Sequence, residues 1–188
     1  MSRLRIYQES RGGAPLSVHT EHADVARELR AVGIRFEQWE ASAPIEPGAS
    51  QDEVIAAYRA DIERLMTEEG YRAVDVISLK PDHPERAAFR KKFLNEHTHS
   101  EDEVRFFVAG AGQFTLHIGD KVYEVLCEQG DLIGVPDGTR HWFDMSESPY
   151  FVAIRLFTNV EGWVASFTGS DIAEQFPRMS PHASAGAA

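Results

Sequence analysis

The sequence predicts a mainly β fold of the α+β class, in which a barrel or sandwich of short antiparallel strands follows an N-terminal region with helices. Residues 94–158 read as short apolar segments separated by Gly, Asp or Pro, and connections this short favour antiparallel hairpins. Residues 50–70 have the apolar spacing of a helix with one buried face. A chain of 188 residues with 43% hydrophobic content is long enough for one domain with a sizeable core and short for two.

The first 91 residues are expected to form an extension of helices and short strands that packs outside the barrel. Ser50 and Glu53 match a capping box, and apolar residues then repeat at helical spacing until Gly70. The apolar face of this helix should lie against a sheet. The other expected elements are a brief strand at Leu4 and Ile6, a helix over 21–32, a strand over 72–79 and a short helix over 84–93.

The barrel itself is expected within residues 92–158. A two-residue turn at Gly119-Asp120 is typical of a type II′ hairpin. Residues 1–176 are interpreted as a single domain, and the small, polar tail 177–188 is expected to be disordered. The predicted strands of the barrel are VRFFVAG, GQFTLHI, KVYEVL, DLIGVP, HWFDM and YFVAIRLF.

Composition excludes several classes of partner. The net charge of −11 repels phosphate backbones, so a nucleic-acid partner is not expected. No apolar run approaches the ~18 residues of a membrane span, and the N-terminus does not have the pattern of a secretory signal. Cys127 is the single cysteine, so an internal disulfide is excluded. These features predict a cytoplasmic protein that binds neither nucleic acid nor membrane.

The residues that carry chemistry lie at the start of the barrel region. His97 and His99 are two residues apart, so they point the same way on an extended strand, and Glu103 follows with the same parity. His141 begins a later strand and can face the first group if the sheet closes on itself. His117 shares a strand face with polar residues and is interpreted as a structural or supporting residue.

The types of these side chains indicate a transition metal. Imidazole suits Fe, Ni, Cu and Zn, whereas carboxylate suits harder ions. Three histidines and one monodentate glutamate would fill four positions of an octahedron and leave two neighbouring positions for a bidentate oxygen ligand. A structural zinc site would instead be closed and tetrahedral.

Two blocks of the sequence resemble the two cupin motifs. The first, H-x-H-x3-E-x6-G, ends at Gly110, and the second, G-x5-P-x-G-x2-H, runs from Gly130 through Pro136 and Gly138 to His141. Met145 stands where the second motif usually has asparagine. Within the cupins, the stretches FLNEHTHSEDEVRFFV and HWFD most resemble the acireductone dioxygenase family. The resemblance implies a double-stranded β-helix, or jelly-roll barrel.

The resemblance also implies an activity and a set of site residues. The family oxidises an acireductone, 1,2-dihydroxy-3-keto-5-methylthiopentene, with O2 in methionine salvage. The Fe(2+) form gives formate and 4-methylthio-2-oxobutanoate, and the Ni(2+) form gives formate, CO and 3-methylthiopropanoate. On this interpretation one Fe(2+) or Ni(2+) ion is bound per chain. The implied metal ligands are His97, His99, Glu103 and His141.

Four further side chains are candidates for the substrate site, and the expected partners are the acireductone and O2. Arg105 shares the strand face of Glu103, so both are expected to take part in catalysis, with Arg105 binding a substrate oxygen anion. Arg155 is a second candidate interior cation. Phe93 and Phe143 flank the ligands and are candidates for contact with the methylthio tail.

Two rival functions remain open at this point. One is another metal cupin enzyme, such as a manganese oxalate-degrading enzyme or a different dioxygenase. The other is a cupin that binds a ligand through its metal without turnover. The chain is expected to be a monomer.

Overall fold

The structure is a computed structural model that describes residues 1–10, 13–159 and 164–180, and in these ranges it is mainly antiparallel β-sheet, as predicted. The strands are β1 (Arg3–Gln8), β2 (Ser17–His19), β3 (Arg35–Gln38), β4 (Ala73–Leu79), β5 (His97–Thr98), β6 (Glu103–Ile118), β7 (Lys121–Glu128), β8 (Asp131–Val135), β9 (Arg140–Asp144), β10 (Phe151–Phe157) and β11 (Ser166–Phe167). The helices are α1 (His22–Arg30), α2 (Gln51–Ala57), α3 (Arg59–Glu69), α4 (Arg86–Phe93) and a 3-10 helix (Ile172–Gln175).

The helix predicted over residues 50–70 is present but bent. The capping box of Ser50 and Glu53 is formed, and Gly70 ends the helix in the left-handed conformation with φ 79°. Tyr58 separates α2 from α3 with φ −110° and ψ 25°, although its N–H still donates to the carbonyl of Val54. The Tyr58 ring is buried edge-on against Phe106, so burial of this bulky side chain accompanies the bend.

The long strand β6 differs from the prediction, which placed two strands here. Residues 103–110 pair with β8 and β10, while residues 111–118 pair with β7 and β9. At the junction Gly110 has φ 63°, and a Cβ there would lie 1.8 Å from the carbonyl oxygen of Tyr150. Close to this junction the pairing of β6 with β10 shifts register, so the opposite set of alternating residues faces the interior beyond it. This reversal is why one strand reads as two in the sequence.

Because β6 belongs to both halves of the fold, it joins two sheets into one structure. The first sheet has the order β11-β5-β9-β6-β7-β1-β2. The second has the order β3-β8-β6-β10-β4. One core cluster draws on both sheets, through Phe114 and Phe143 of the first and Ile133 and Phe151 of the second. This arrangement of strands brings β5, β6 and β9 together at one place.

The outer faces of the sheets are covered by helices, as expected for the N-terminal extension. Val54, Ile62 and Leu65 of α2 and α3 pack in one cluster with β6 residues such as Val104 and Phe106. On the first sheet, Trp142 packs with Tyr7 and with the 3-10 helix and its neighbour Phe176. None of the helices in the described ranges is long and apolar enough to span a membrane.

The described part of the expected disordered tail is packed. Met179 is buried, and its N–H donates to the Asp144 carboxylate at 3.0 Å. The carbonyl of Pro177 accepts from the Gln113 side chain. Residues 177–180 therefore differ from the expectation, and residues 181–188 lie outside the described residues.

Candidate metal centre

Three predicted ligands converge inside the barrel. His97 on β5 faces His141 on β9 in direct register, and His99 follows β5. One ring nitrogen of each histidine lies within 4.8 Å of those of the other two, and all three residues are buried. In the described ranges this is the one group of three or more His, Cys, Asp and Glu residues close enough to hold a metal ion.

The backbone determines which nitrogen each histidine offers. Nδ1 of His97 lies 2.7 Å from the carbonyl oxygen of Asn95, Nδ1 of His141 lies 2.7 Å from that of Thr139, and Nδ1 of His99 lies 3.1 Å from that of Val164. A carbonyl can only accept, so each Nδ1 carries the proton and donates. Each Nε2 therefore keeps its lone pair, which is the form of imidazole that binds metals.

Burial keeps the imidazoles of His97 and His141 neutral. It lowers the pKa of His141 to about 3 and also lowers the pKa of His97. In both cases desolvation of the charged form is the main cause. Neutral imidazole is thus the resting form of both rings at physiological pH, and no proton has to be displaced before a metal binds.

Glu103, the fourth predicted ligand, lies beside the three histidines at the start of β6. Its Oε1 accepts from Nη2 of Arg105 at 2.6 Å, whereas its Oε2 accepts no hydrogen bond from any described residue. Oε2 is buried and lies 3.5 Å from Nε2 of His99. Burial alone would raise the pKa of Glu103, but the Arg105 and Arg155 guanidinium groups lower it to about 2. A carboxylate oxygen that is buried, charged and without a donor is what a cation would complete.

Arg105 is an interior cation, as predicted. It is 2% exposed, and its guanidinium lies 4.5 Å from the ring centroids of both Phe114 and Phe143. Its Nη1 donates to no described residue. Burial lowers the pKa of Arg105, but Glu103 opposes this shift. Arg105 is therefore a buried cation with one free N–H donor, and it lies next to the three histidines.

Arg155 is also buried, but its guanidinium has a partner that sequence reasoning missed. Nε donates to the Asp75 carboxylate at 2.8 Å, across the pairing of β10 with β4. Its guanidinium carbon lies 5.5 Å from the ring centroid of Phe157, whose own ring lies 6.0 Å from that of His99. The structure therefore places Arg155 one layer behind the histidines, with part of its charge neutralised.

The two predicted phenylalanines are core residues. Phe93 is the last residue of α4, and Phe143 is two residues after His141 on β9. Both belong to the cluster between the sheets, and Phe143 is 1% exposed. Trp142, with the opposite parity, packs on the outer face.

Sequence reasoning also missed the polar residues that support the site from outside. Glu96 is buried on the outer side of β5 and binds both His117 and Thr168. His117 lies outside the histidine group and contacts Glu96, which agrees with its interpretation as a structural or supporting residue. The only available signal was position, since Glu96 directly precedes His97.

Comparison with known proteins identifies the family. The family model described as "ARD/ARD′ family" matches residues 3–165. Acireductone dioxygenase of Stenotrophomonas maltophilia is 62% identical over 96% of this chain and 98% of its own length. Acireductone dioxygenase of Pseudomonas aeruginosa is 63% identical over 95% of this chain and 99% of its own length.

A solved structure supports the same assignment. Acireductone dioxygenase from Bacillus anthracis, with a cadmium ion in its active centre, superposes with a TM-score of 0.78 and 32% identity. The match covers 89% of this chain and 98% of that one, and it confirms the expected barrel fold. With its sequence and fold in agreement, the chain belongs to the ARD/ARD′ family.

Proposed function

We propose that this chain is a metal-dependent dioxygenase that cleaves an acireductone with O2 in methionine salvage. His97, His99, Glu103 and His141 would hold the metal ion. The observation that carries the proposal is the convergence of three histidines whose Nδ1 protons are bound to backbone carbonyls. The family assignment supports the substrate and the reaction type.

The donor set fits Fe(II) or Ni(II), one ion per chain. Three imidazole nitrogens and a carboxylate oxygen suit divalent first-row ions, and a thiolate is not among them because Cys127 is buried elsewhere in the core. When bound, the ion supplies Lewis acidity toward the oxygens of a chelating substrate. The choice between Fe(II) and Ni(II) would then select between the two sets of products that the family resemblance implies.

Arg105 would bind the substrate. An acireductone ionises to an enediolate, and the free Nη1 of Arg105 is a buried cationic donor for one of its oxygens. The guanidinium packs against the rings of both Phe114 and Phe143, so its direction is fixed before the substrate arrives. Glu103 keeps Arg105 charged and in place through the hydrogen bond to Oε1.

Arg155, Phe93 and Phe143 would have secondary roles. Arg155 lowers the pKa of Glu103 from a distance, while Asp75 holds its guanidinium. Phe93 and Phe143 belong to the buried hydrophobic cluster, which would exclude water from the site and favour the apolar methylthio tail.

The proposal is tested by preparing metal-free protein and reconstituting it separately with Fe(II) and Ni(II). We expect about one ion per chain in each case. The iron form should consume O2 with the acireductone and release formate and 4-methylthio-2-oxobutanoate, whereas the nickel form should also release CO. His99→Ala and Glu103→Ala should lose the ion, and His19→Ala, which alters a histidine on β2, should keep it. Normal metal binding without O2 consumption would contradict the substrate assignment and leave the metal centre standing.

The rival functions are less well supported. An oxalate-degrading cupin or a binding protein without turnover would not account for identity above 60% to acireductone dioxygenases across nearly the whole chain. The cytoplasmic location and the monomeric state stay predictions.

A further inference from the structure

Gly112 is a buried glycine on the interior face of β6, shortly after the junction at Gly110. It lies opposite Cys127 of β7 and shares its face with Phe114, and both of these residues belong to the core cluster between the sheets. Gly112 is not among the glycines of positive φ, so its backbone conformation is open to alanine. A glycine inside a strand weakens the strand and often marks a close approach of other atoms.

The ring of Phe143 occupies the space that a side chain at position 112 would need. A Cβ on Gly112 would lie 2.4 Å from Cζ and 2.7 Å from Cε2 of Phe143, and 3.1 Å from Cε1 of Phe107. Carbon atoms pack at about 3.5–4.0 Å, so the tip of the Phe143 ring would have to move by about 1 Å to make room for a methyl group. The shortest contacts are with the end of a side chain, so alanine displaces the ring rather than the strand.

A displaced Phe143 ring would press on its neighbours in the core. Its centroid lies 5.1 Å from that of Phe114, 5.7 Å from that of Phe151 and 6.3 Å from that of Phe107. The guanidinium of Arg105 lies 4.5 Å from the centroids of both Phe143 and Phe114. Close-packed interiors transmit displacements, so a shift of Phe143 reaches the guanidinium.

We propose that Gly112 is a positioning residue for substrate binding: its lack of a side chain sets the place of the Phe143 ring, and through this ring the direction of the Arg105 guanidinium. The inference rests on the proposed function, because it takes Arg105 to be the residue that binds a substrate oxygen. Nη1 of Arg105 donates to no described residue, so its direction depends on packing and on the bonds that Nε and Nη2 make to Glu103. A misplacement of about 1 Å can lower a rate by about 100-fold.

Gly112→Ala tests this inference, and Gly134→Ala is the matched control. Gly134 is a buried glycine within β8 that is also not among those of positive φ. A Cβ on Gly134 would lie 3.1 Å from Cβ of Arg35 and 3.6 Å from Cγ2 of Val104, which belongs to the cluster formed with α2 and α3. Both alanine variants should lower thermal stability, but only Gly112→Ala should affect Arg105.

Phe143→Leu isolates the contact between the two positions, because it removes the Cζ and Cε2 atoms that lie closest to Gly112. Contacting residues have non-additive effects. Gly112→Ala should therefore have much less effect when it is added to Phe143→Leu than when it is made in the parent protein.

The first measurement follows Arg105 in the metal-free protein by NMR. The guanidinium is close to two aromatic rings, so their ring currents shift the signal of its Nε–H group. Arg105→Lys identifies this signal by its loss. We expect the signal to move in Gly112→Ala and to keep its parent position in Gly134→Ala.

The second measurement is O2 uptake by the iron form with the acireductone. We expect Gly112→Ala to retain its metal and to lower kcat/KM by about 10- to 100-fold, chiefly through KM, because Arg105 binds the substrate itself. Gly134→Ala should have the kcat/KM of the parent. Addition of Gly112→Ala to Phe143→Leu should change kcat/KM by less than about twofold.

An unchanged Arg105 signal or an unchanged kcat/KM in folded Gly112→Ala would overturn the inference. An equal loss in Gly134→Ala, or a loss in the Phe143→Leu background as large as in the parent, would also overturn it. If Gly112→Ala does not fold, a folded double variant supports the inference. A double variant that is unfolded while Phe143→Leu is folded overturns it, because the clash then involves atoms other than the Phe143 ring.

Absence of O2 uptake by the parent protein would overturn the proposed function. The Arg105 signal of the metal-free protein would still decide whether Gly112 positions Arg105, so the two failures are distinguishable.

Discussion

Glu103 and Arg105 place opposite charges two residues apart inside the barrel, each almost inaccessible to water. Each side chain has one polar atom without a hydrogen bond to the described residues, Oε2 of the glutamate and Nη1 of the arginine. The two side chains are joined by the hydrogen bond from Nη2 of Arg105 to Oε1 of Glu103. Burying groups without partners costs free energy, so a folded protein retains them where a ligand completes them. The pair therefore offers one atom to a cation and one to an anion at the same site.

Arg105→Lys tests the anionic half of this arrangement. Lysine keeps the charge but loses the planar guanidinium that packs against Phe114 and Phe143, so a substrate oxygen would lose an oriented donor. We expect kcat/KM for O2 consumption to fall by about 10- to 100-fold with metal content unchanged, as expected for one charge-assisted hydrogen bond. Steady-state oxygen uptake measures the change. Arg90→Lys, at an arginine that binds Asp144, is the control, and an equal loss in that variant would contradict the assignment.

His141 makes the stability of the metal-free protein depend on pH. Its pKa is about 3 in the folded chain against an ordinary value of 6.5, so the unfolded chain takes up a proton first as the pH falls. The stability that this group contributes is complete well above pH 6.5 and decreases as the pH falls through that value, by about 1 kcal/mol between pH 7.5 and 5.5. His97 shifts in the same direction.

Urea unfolding of the metal-free protein at these two pH values measures the effect, and His141→Gln should reduce the difference. The comparison with the variant matters because burial raises the pKa of Glu124 and Asp131, and these carboxyls act in the opposite sense. Equal pH dependence in the parent and in His141→Gln would show that His141 does not titrate as described.

The convergence of the proposed ligands could be predicted from the sequence, but the distant partners of the site could not. His97, His99 and Glu103 lie close together along the chain, and parity alone aligns them. Asp75, by contrast, reaches Arg155 through the pairing of β4 with β10, 80 residues apart. A local pattern contains no information about such a contact, so the electrostatic environment of the site appears only in the folded chain.

At the scale of elements, the register shift in β6 next to Gly110 determines how this strand passes from one sheet to the other. Gly110 allows β6 to leave one sheet and enter the other, and no residue with a Cβ fits there. The sequence analysis predicted two strands here, because the pattern cannot distinguish an irregular strand from two strands with a turn. Short elements such as β2 and β3 were also missed, because three or four residues contain too little periodicity.

Gly110→Ala should be strongly destabilising, and Gly119→Ala provides the matched comparison. Both glycines have φ 63°, so both substitutions carry backbone strain of about 1–3 kcal/mol. At Gly119 a Cβ meets nothing within 4 Å, whereas at Gly110 it would lie 1.8 Å from a backbone oxygen. We expect Gly119→Ala to lower the free energy of unfolding by about 1 kcal/mol and Gly110→Ala by at least about 3 kcal/mol. Equal losses in chemical denaturation would show that the close approach to Tyr150 is unimportant.

At the scale of the whole molecule, the candidate metal centre joins strands that are distant in sequence. His97 lies on β5, Glu103 begins the strand shared by both sheets, and His141 lies on β9. The sequence predicted the barrel and the outer helices because their hydrophobic patterns are long. Apart from the pairing of β6 with β7 through the hairpin at Gly119-Asp120, it did not predict which strands become neighbours, because that order depends on packing across the whole chain.

A metal held by these residues should therefore stabilise the fold as a unit. An ion that binds only the folded state at 100 times its Kd adds about 2.7 kcal/mol, which for a chain of this length corresponds to about 5–10 °C in Tm. We expect Ni(II) to raise the Tm of the parent protein by this amount and a chelator to reverse the change. His99→Ala should abolish the increase. Ser50→Ala, which removes the α2 cap outside the barrel, should lower Tm with and without metal and keep the increase. Loss of the increase in Ser50→Ala, or its persistence in His99→Ala, would show that the ion binds elsewhere.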